Sequence, residues 1–286
     1  MFISIRIKKA AAIISCAALA VMIGAGIFLH HGQAQEETVT GLRLPIIMYH
    51  SISRDEARLG EYVVTPQQFE SDIIYLKQQG YEPVFVNELI MHLRYGSKLP
   101  DKPVIITLDD GHLNALTQAL PICRRQGFKM TVSCVAKWSE IAAEEAQPDE
   151  NYSYCDAKDI NTLRESGLCE IACHSYDMHS LGTRRGILKT DEESEELYIS
   201  HLLNDISKAE GYFEKHCSFR PNVYCYPYGF NDKLSRSTVR SGGFEATLGT
   251  EEGINVITDE SSLFELKRFN RPNGQTSEEF FKDKLP

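Results

Sequence analysis

The chain reads as an α/β protein built on a parallel sheet or barrel. Four short apolar runs, LPIIMY, PVIITL, CEIAC and NVYCY, have the near-continuous hydrophobicity of strands covered on both faces. Helix-patterned segments alternate with strands along nearly the whole length, as βα units require. The runs stop at His50, at Asp109-Asp110-Gly111, at His174 and at Pro227-Tyr228-Gly229. Reacting groups in such folds gather at the carboxyl ends of the strands. Four such endings predict the mouth of a metal-dependent enzyme. A length of 286 residues suits one α/β barrel plus a leader.

The elements follow in order. Arg6, Lys8 and Lys9 precede an uncharged stretch, 10–29, that is 20 residues long and sufficient to cross a bilayer as a helix. Cations before it and Glu36 and Glu37 after it put the tail 1–9 in the cytoplasm and the bulk outside. The expectation is a single-pass anchor in the cell membrane. The alternative is secretion after cleavage near Ala34, behind the small-residue site Gly32-Gln33-Ala34. Cys16 sits in a stretch like a lipoprotein box and reads as a membrane-helix residue. Residues 30–42 form a polar tether, and 43–286 the folded domain.

Within that domain Thr65, Pro66 and Gln68 start a helix as cap, first and third helical residues. It carries Phe69, Ile73, Ile74 and Leu76 and stops at Gly80. EPVFV reads as a strand and NELIMHLRYG as a helix. After DDGH a helix runs through Pro121 to Gln126, with Gly127 as its stop. FKMTVSCVA reads as a strand, 139–153 as a loop and 156–167 as a helix. The segment 190–215 reads as a long helix. Asp191, Glu192 and Glu193 stand at its positive end, and Leu197, Leu202, Leu203, Ile206 and Phe213 form a buried face. A helix over 231–241, the strand FEATLG and the segment FELKRFN complete the chain.

The net charge is −10, and setting aside Arg6, Lys8 and Lys9 leaves −13 for the remainder. That argues against binding of nucleic acid or anionic lipid by the folded domain. Seven of the eight cysteines follow the leader. Cys169 and Cys173 would stand roughly 13 Å apart on one strand, too far to bridge. They and Cys123, Cys134 and Cys225 read as buried thiols acting as small hydrophobes. Zinc-ribbon spacing is absent, and a bridge such as Cys217 with Cys225 stays open.

Asp109 and Asp110 can divide labour, one holding a metal while the other stays free as a base. Alone, an Asp-Gly after a strand would be turn chemistry. His174 and His179 are five apart and converge only if the strand ends at His174 and the next loop folds back. With an aspartate they form a two-His, one-carboxylate set that leaves positions open. Asp177 reads as a loop-shaping acceptor and His112 as a solvated loop residue near the site. Trp138, the only Trp, suits either a sugar ring or acetyl methyl, or plain packing.

In this setting ITLDDGH resembles the first box of the NodB-like polysaccharide deacetylases (carbohydrate esterase family 4). EIACHSYDMH resembles that family's His-containing box and YCYPYGFND its third. PIIMYHSI resembles the branch that includes the poly-N-acetylglucosamine deacetylases. The resemblance runs from about residue 43 to the C-terminus. It implies an irregular parallel (β/α) barrel, incomplete beside the eightfold type. It also implies a hydrolase removing N-acetyl groups from a cell-envelope or extracellular polysaccharide. The alternatives are an O-acetyl esterase on the same fold and an inactive carbohydrate-binding protein.

Carried over by position, Asp110, His174 and His179 hold one divalent ion. Zinc is the default, and cobalt, nickel and iron also suit the set. Asp109 becomes the base toward the attacking water, and Pro227 and Tyr228 face the substrate, with the Tyr228 N–H as oxyanion donor. Two departures stand out. The common pattern has a late histidine as acid, and here none follows His216. The resemblance to the MYH branch implies instead an acid on the N-terminal strand, the position of His50. The Arg that the common third box carries before its Pro, steadying the catalytic Asp, is also missing. Tyr226 is there instead, and Arg220 lies seven residues before Pro227. Arg268 or Arg271 substitutes, and the sequence does not choose. Leu108 replaces the usual Phe. The partners implied are an acetylated glycan and, through the leader, a membrane.

Overall fold

The computed structural model describes residues 41–286. The tail, the anchor at 10–29 and all but the end of the tether lie outside the described residues. Among the described residues no helix is long and apolar enough to cross a membrane.

Among the described residues twelve strands are formed: β1 (Leu42–Leu44), β2 (Ile46–Tyr49), β3 (Ser51–Ile52), β4 (Val63–Val64), β5 (Glu82–Pro83), β6 (Pro103–Leu108), β7 (Met130–Cys134), β8 (Cys169–Cys173), β9 (Val223–Cys225), β10 (Ala246–Leu248), β11 (Asn255–Ile257) and β12 (Phe269–Asn270). The main sheet runs β10-β9-β8-β7-β6-β2-β12, with β5 beside the start of β6. Every pairing in it is parallel. The two ends of this path are joined by one irregular segment. Leu266 bridges to Leu248 of β10, and Phe269 and Asn270 then pair with Ile47 and Met48 of β2. The sheet therefore curls into the incomplete barrel expected, and residues 266–270 are its seam.

Side chains alternate across each strand, and two apolar clusters result. Ile47, Tyr49, Ile106 and Leu108 pack with Phe69, Ile73, Leu202 and Phe213 of the helices Pro66–Gln78 and Glu195–Cys217. Ile46, Ile105, Ala172, Val223 and Ala246 form the inner cluster with Leu89 and Ile90 of the helix Val86–Tyr95. Thr107 and Asp109 share the face of Ile105, so that inner column turns polar as it reaches the strand ends.

Several expectations are corrected. The long helix starts at Glu195, because Ser194 Oγ accepts from Leu197 N at 3.2 Å. Glu193 is instead tied to Arg184, Thr190 and His201. Leu197 is exposed, and Tyr198 takes the buried position. EPVFV is strand only over Glu82–Pro83, since the N–H groups of Val86 and Asn87 turn to the Glu170 carboxylate at 3.0 and 2.9 Å and open a helix. The first residues of 139–153 belong to a helix, Ala136–Ala142. β11, which pairs antiparallel with β1, has no counterpart among the elements read from sequence. The seven described cysteines are all free and buried, so no Cys217–Cys225 bridge forms.

Candidate active site

The four strand endings do meet. A cavity of about 810 Å³ is lined by His50, Asp109, Asp110, His174, His179, Trp138 and Tyr228, among others. What brings them together is local backbone geometry at three turns. Asp110 and Gly111 both take positive φ, 72° and 73°. A Cβ on Gly111 would stand 3.0 Å from Cys134 Sγ, so only glycine allows this sharp exit from β6. The turn separates the neighbouring carboxylates: Asp109 meets Arg268, and Asp110 meets the histidines.

His179 returns to His174 through a pinned loop. Ser175 has φ 79° and its Oγ accepts from Met178 N at 3.2 Å. Asp205, buried on the long helix, accepts from the N–H groups of Tyr176 and Asp177, both at 2.9 Å. The loop-shaping acceptor is thus Asp205, and Asp177 pairs with Lys137 at the surface. Sequence reasoning missed Asp205, although a carboxylate between Leu202, Ile206 and Ala209 on an apolar helix face was a visible signal.

The geometry fits an ion held by Asp110, His174 and His179. Asp110 Oδ1 lies 3.6 Å from His174 Nε2 and 3.2 Å from His179 Nε2. Ligand atoms about 2.0–2.1 Å from a tetrahedral ion stand about 3.3 Å from one another. Oδ1 is buried and has no hydrogen-bond partner, an unmet demand that a cation answers. His174 Nδ1 lies 2.8 Å from the Cys225 carbonyl. A carbonyl only accepts, so Nδ1 carries the proton and Nε2 keeps its lone pair toward Asp110. Burial pushes the Asp110 carboxyl upward, but His112, His174 and His179 outweigh it and hold the group well below its usual range.

Asp109 is gripped by Arg268, with both oxygens 2.7 Å from guanidinium nitrogens. Arg268 is fully buried and is itself held by Gly249 O at 2.6 Å and Thr107 Oγ1 at 3.0 Å. Burial raises the Asp109 carboxyl, and Arg268, helped by His174 and His50, drives it far below the ordinary range. The carboxylate is ionised and fixed in orientation. Arg271, the other candidate, points elsewhere and pairs with Asp72.

His50 follows β2 and packs edge-on against Tyr62, with ring centroids 4.8 Å apart. Its Nδ1 is buried and unpartnered. Burial lowers its pKa, against the opposing pull of Asp109 and Asp110. Pro227 and Tyr228 open the short turn Pro227–Gly229, with Tyr228 at φ 57°. The following glycine is obligatory, because a Cβ on Gly229 would overlap Thr250. The Tyr228 ring lies 4.4 Å from that of His179. Trp138 meets His179 edge-on at 4.7 Å and leans on Tyr154 at 4.5 Å, so it packs against the site and lines the cavity together. His112, read as solvated, is instead largely enclosed beside Asp110.

Fold and site together set two neighbouring carboxylates at the strand ends, one held by an arginine and one facing two histidines. A polysaccharide deacetylase family profile matches residues 96–247, more than half of the chain. The chain belongs to that family. It is similar to the poly-β-1,6-N-acetyl-D-glucosamine N-deacetylase of Escherichia coli K12, with 22% identity over 247 residues. That match covers 79% of this chain but only 37% of the Escherichia coli protein. The Staphylococcus aureus MRSA252 protein of the same name is 23% identical over 224 residues, covering 78% of this chain and 71% of that one. Among solved structures, the de-N-acetylase of Aggregatibacter actinomycetemcomitans superposes with a TM-score of 0.74 at 20% identity, covering 85% of this chain and 100% of that one. A Streptococcus pyogenes deacetylase in complex with acetate gives 0.69 at 18% identity, over 86% and 100%. These likenesses establish the fold.

Proposed function

We propose that the chain is a metal-dependent N-deacetylase of an N-acetylglucosamine-containing glycan, working outside the membrane that residues 10–29 anchor it to. The observation that carries this is the division between Asp109 and Asp110. One carboxylate is locked on a buried arginine, and the other turns an unpartnered oxygen toward two imidazole nitrogens. A divalent ion held by Asp110, His174 and His179 would supply Lewis acidity, making water nucleophilic near neutral pH and polarising the acetyl carbonyl.

The chain's own groups do the rest. Asp109 accepts the proton of the attacking water, and Arg268 keeps its carboxylate aimed. The Tyr228 N–H, which its turn does not use, donates to the developing oxyanion. His50 delivers a proton to the departing nitrogen as the carbon–nitrogen bond breaks, leaving acetate and a glucosamine amine. Burial makes its imidazolium a readier donor. The names of the relatives favour a poly-β-1,6-linked N-acetylglucosamine substrate.

The deciding experiment assays the full chain on acetylated β-1,6-glucosamine oligomers before and after chelation. Chelation should abolish acetate release, and zinc or cobalt should restore it. Release that survives a chelator-stripped preparation with no measurable metal ends the proposal. Intact-mass analysis of native protein tests the anchor, since a mature chain starting at Gln35 would refute it.

A further inference from the structure

We propose that His112 is a positioning residue of the ion site, holding one oxygen of Asp110 so that the other faces His174 and His179. The inference rests on the metal-site reading above and deepens it. His112 Nε2 lies 3.5 Å from Asp110 Oδ2, whereas the two other histidines approach Oδ1. His112 Nε2 faces the oxygen on which no ion is proposed and is placed to donate to it, whereas the two ligand nitrogens would turn their lone pairs to the ion. The opposite nitrogen, Nδ1, is buried without a partner, so nothing on that side competes for the ring's orientation.

That orientation is fixed from outside. The ring stacks on Tyr154 with centroids 5.0 Å apart and planes 18° from parallel. Backbone hydrogen bonds tie the same segments, Leu113 N to Ser153 O at 2.9 Å and Cys155 N to Gly111 O at 2.8 Å. Tyr154 leans on Trp138, whose edge meets His179. One aromatic stack thus supports residues on both sides of the proposed ion, His112 behind the carboxylate and His179 in front of it. Partners of this kind behind a metal ligand set its orientation, and their loss typically weakens metal binding about 10–100-fold.

The test uses the full chain, stripped by a chelator and titrated with zinc or cobalt ions against a chromophoric competitor. His112→Phe keeps the stack and removes the donor, and should lower affinity about 10–100-fold without lowering the melting temperature of the metal-free protein. His112→Gln, whose amide N–H can reach Oδ2, should recover most of the loss, and the shorter His112→Asn should not. The visible spectrum of the cobalt-loaded protein should keep its band positions in His112→Gln. Equal affinity in wild type and His112→Phe overturns the inference, as does a Gln variant as weak as the Phe variant. A cobalt spectrum showing a lost nitrogen ligand in His112→Gln also overturns it, because His112 would then bind the ion directly. Failure of the wild-type chain to bind either ion would instead count against the proposed function.

Discussion

Two buried arginine–aspartate pairs leave the seam and the residue just past it in opposite directions, Arg268 to Asp109 inside the barrel and Arg271 to Asp72 outside it. Both arginines are essentially inaccessible, at 0% and 1% exposure, and both grip their carboxylates through two nitrogens. The surroundings differ. Asp72 also accepts from Tyr49 Oη at 2.8 Å and Ser277 Oγ at 2.7 Å, while Arg271 donates onward to the carbonyls of Pro272 and Gln275. This joins β2, the helix Pro66–Gln78 and the C-terminal helix Ser277–Phe281, with no group facing the cavity. Asp109 has no such hydroxyl partners, only a weak thiol contact from Cys225 at 3.4 Å, and it lines the cavity. Identical chemistry serves attachment in one place and, in the proposed reaction, catalysis in the other.

The largest effect expected from that contrast is catalytic. Asp109→Asn should keep the ion and the fold while lowering deacetylation on the order of 10²–10⁴-fold. Asp110→Asn should weaken ion binding itself. Titration of both variants with zinc, alongside the rate, checks the division. If the two exchange behaviours, the roles are reversed.

Arg271→Met should do the opposite of Asp109→Asn. Removing one member of a buried pair costs about 3–5 kcal/mol, which at about 2–4 °C per kcal/mol for a domain this large lowers the melting temperature by about 10 °C. Below that melt the turnover per folded molecule should match wild type. Thermal unfolding and active-site-normalised rates decide the matter. A stable Arg271→Met protein with crippled turnover would mean the two pairs are not functionally separate.

That separation explains what the sequence could and could not show. The strand ends were legible, because each short apolar run meets a residue that only a site or a turn would tolerate. The grouping of Asp110, His174 and His179, and the separate part proposed for Asp109, came from the resemblance of the three boxes to the family, since the residues alone left a turn and two unrelated histidines as the plainer reading. Arg268 and Arg271 were not separable, being three apart in the irregular segment KRFNRP, where no period says which faces inward. The barrel closure decides it, through pairing of Phe269 and Asn270 with β2, and that is a tertiary fact. The same holds for Asp205 and His112. Asp205 signalled its burial but not its partners at Tyr176 and Asp177, and His112 is oriented by Tyr154, from a loop that carries no pattern.

His50 offers a finer contrast, between the two ends of the reaction. His50→Ala should retain the ion and lose the high-pH limb of the kcat/KM profile, which reports loss of the acid's proton. Arg271→Met should leave both limbs where they are. A His50→Ala enzyme with near-normal activity and an unchanged high-pH limb would move the acid to another residue.

The smallest expected effect is the most specific to the inner pair. Arg268→Lys keeps the positive charge but replaces a two-pronged donor by a point charge on a flexible stem. It also gives up the Gly249 and Thr107 contacts that fix the side chain. Burial already pushes the Asp109 carboxyl upward, and Arg268 is the strongest of the groups opposing that push. Weakening it must raise the folded-state pKa from its depressed position. A base works only when deprotonated, so its protonation sets the acid side of the kcat/KM profile, and that limb should move to higher pH. Activity should fall most at the acid end and least above neutrality, where Asp109 stays ionised in both proteins. The equivalent Arg271→Lys change should move no limb, since Asp72 touches nothing in the cavity. Should the Arg268→Lys limb stay in place while the rate falls uniformly at every pH, the limb reports the ion site, and Arg268 acts on Asp109 by aim alone.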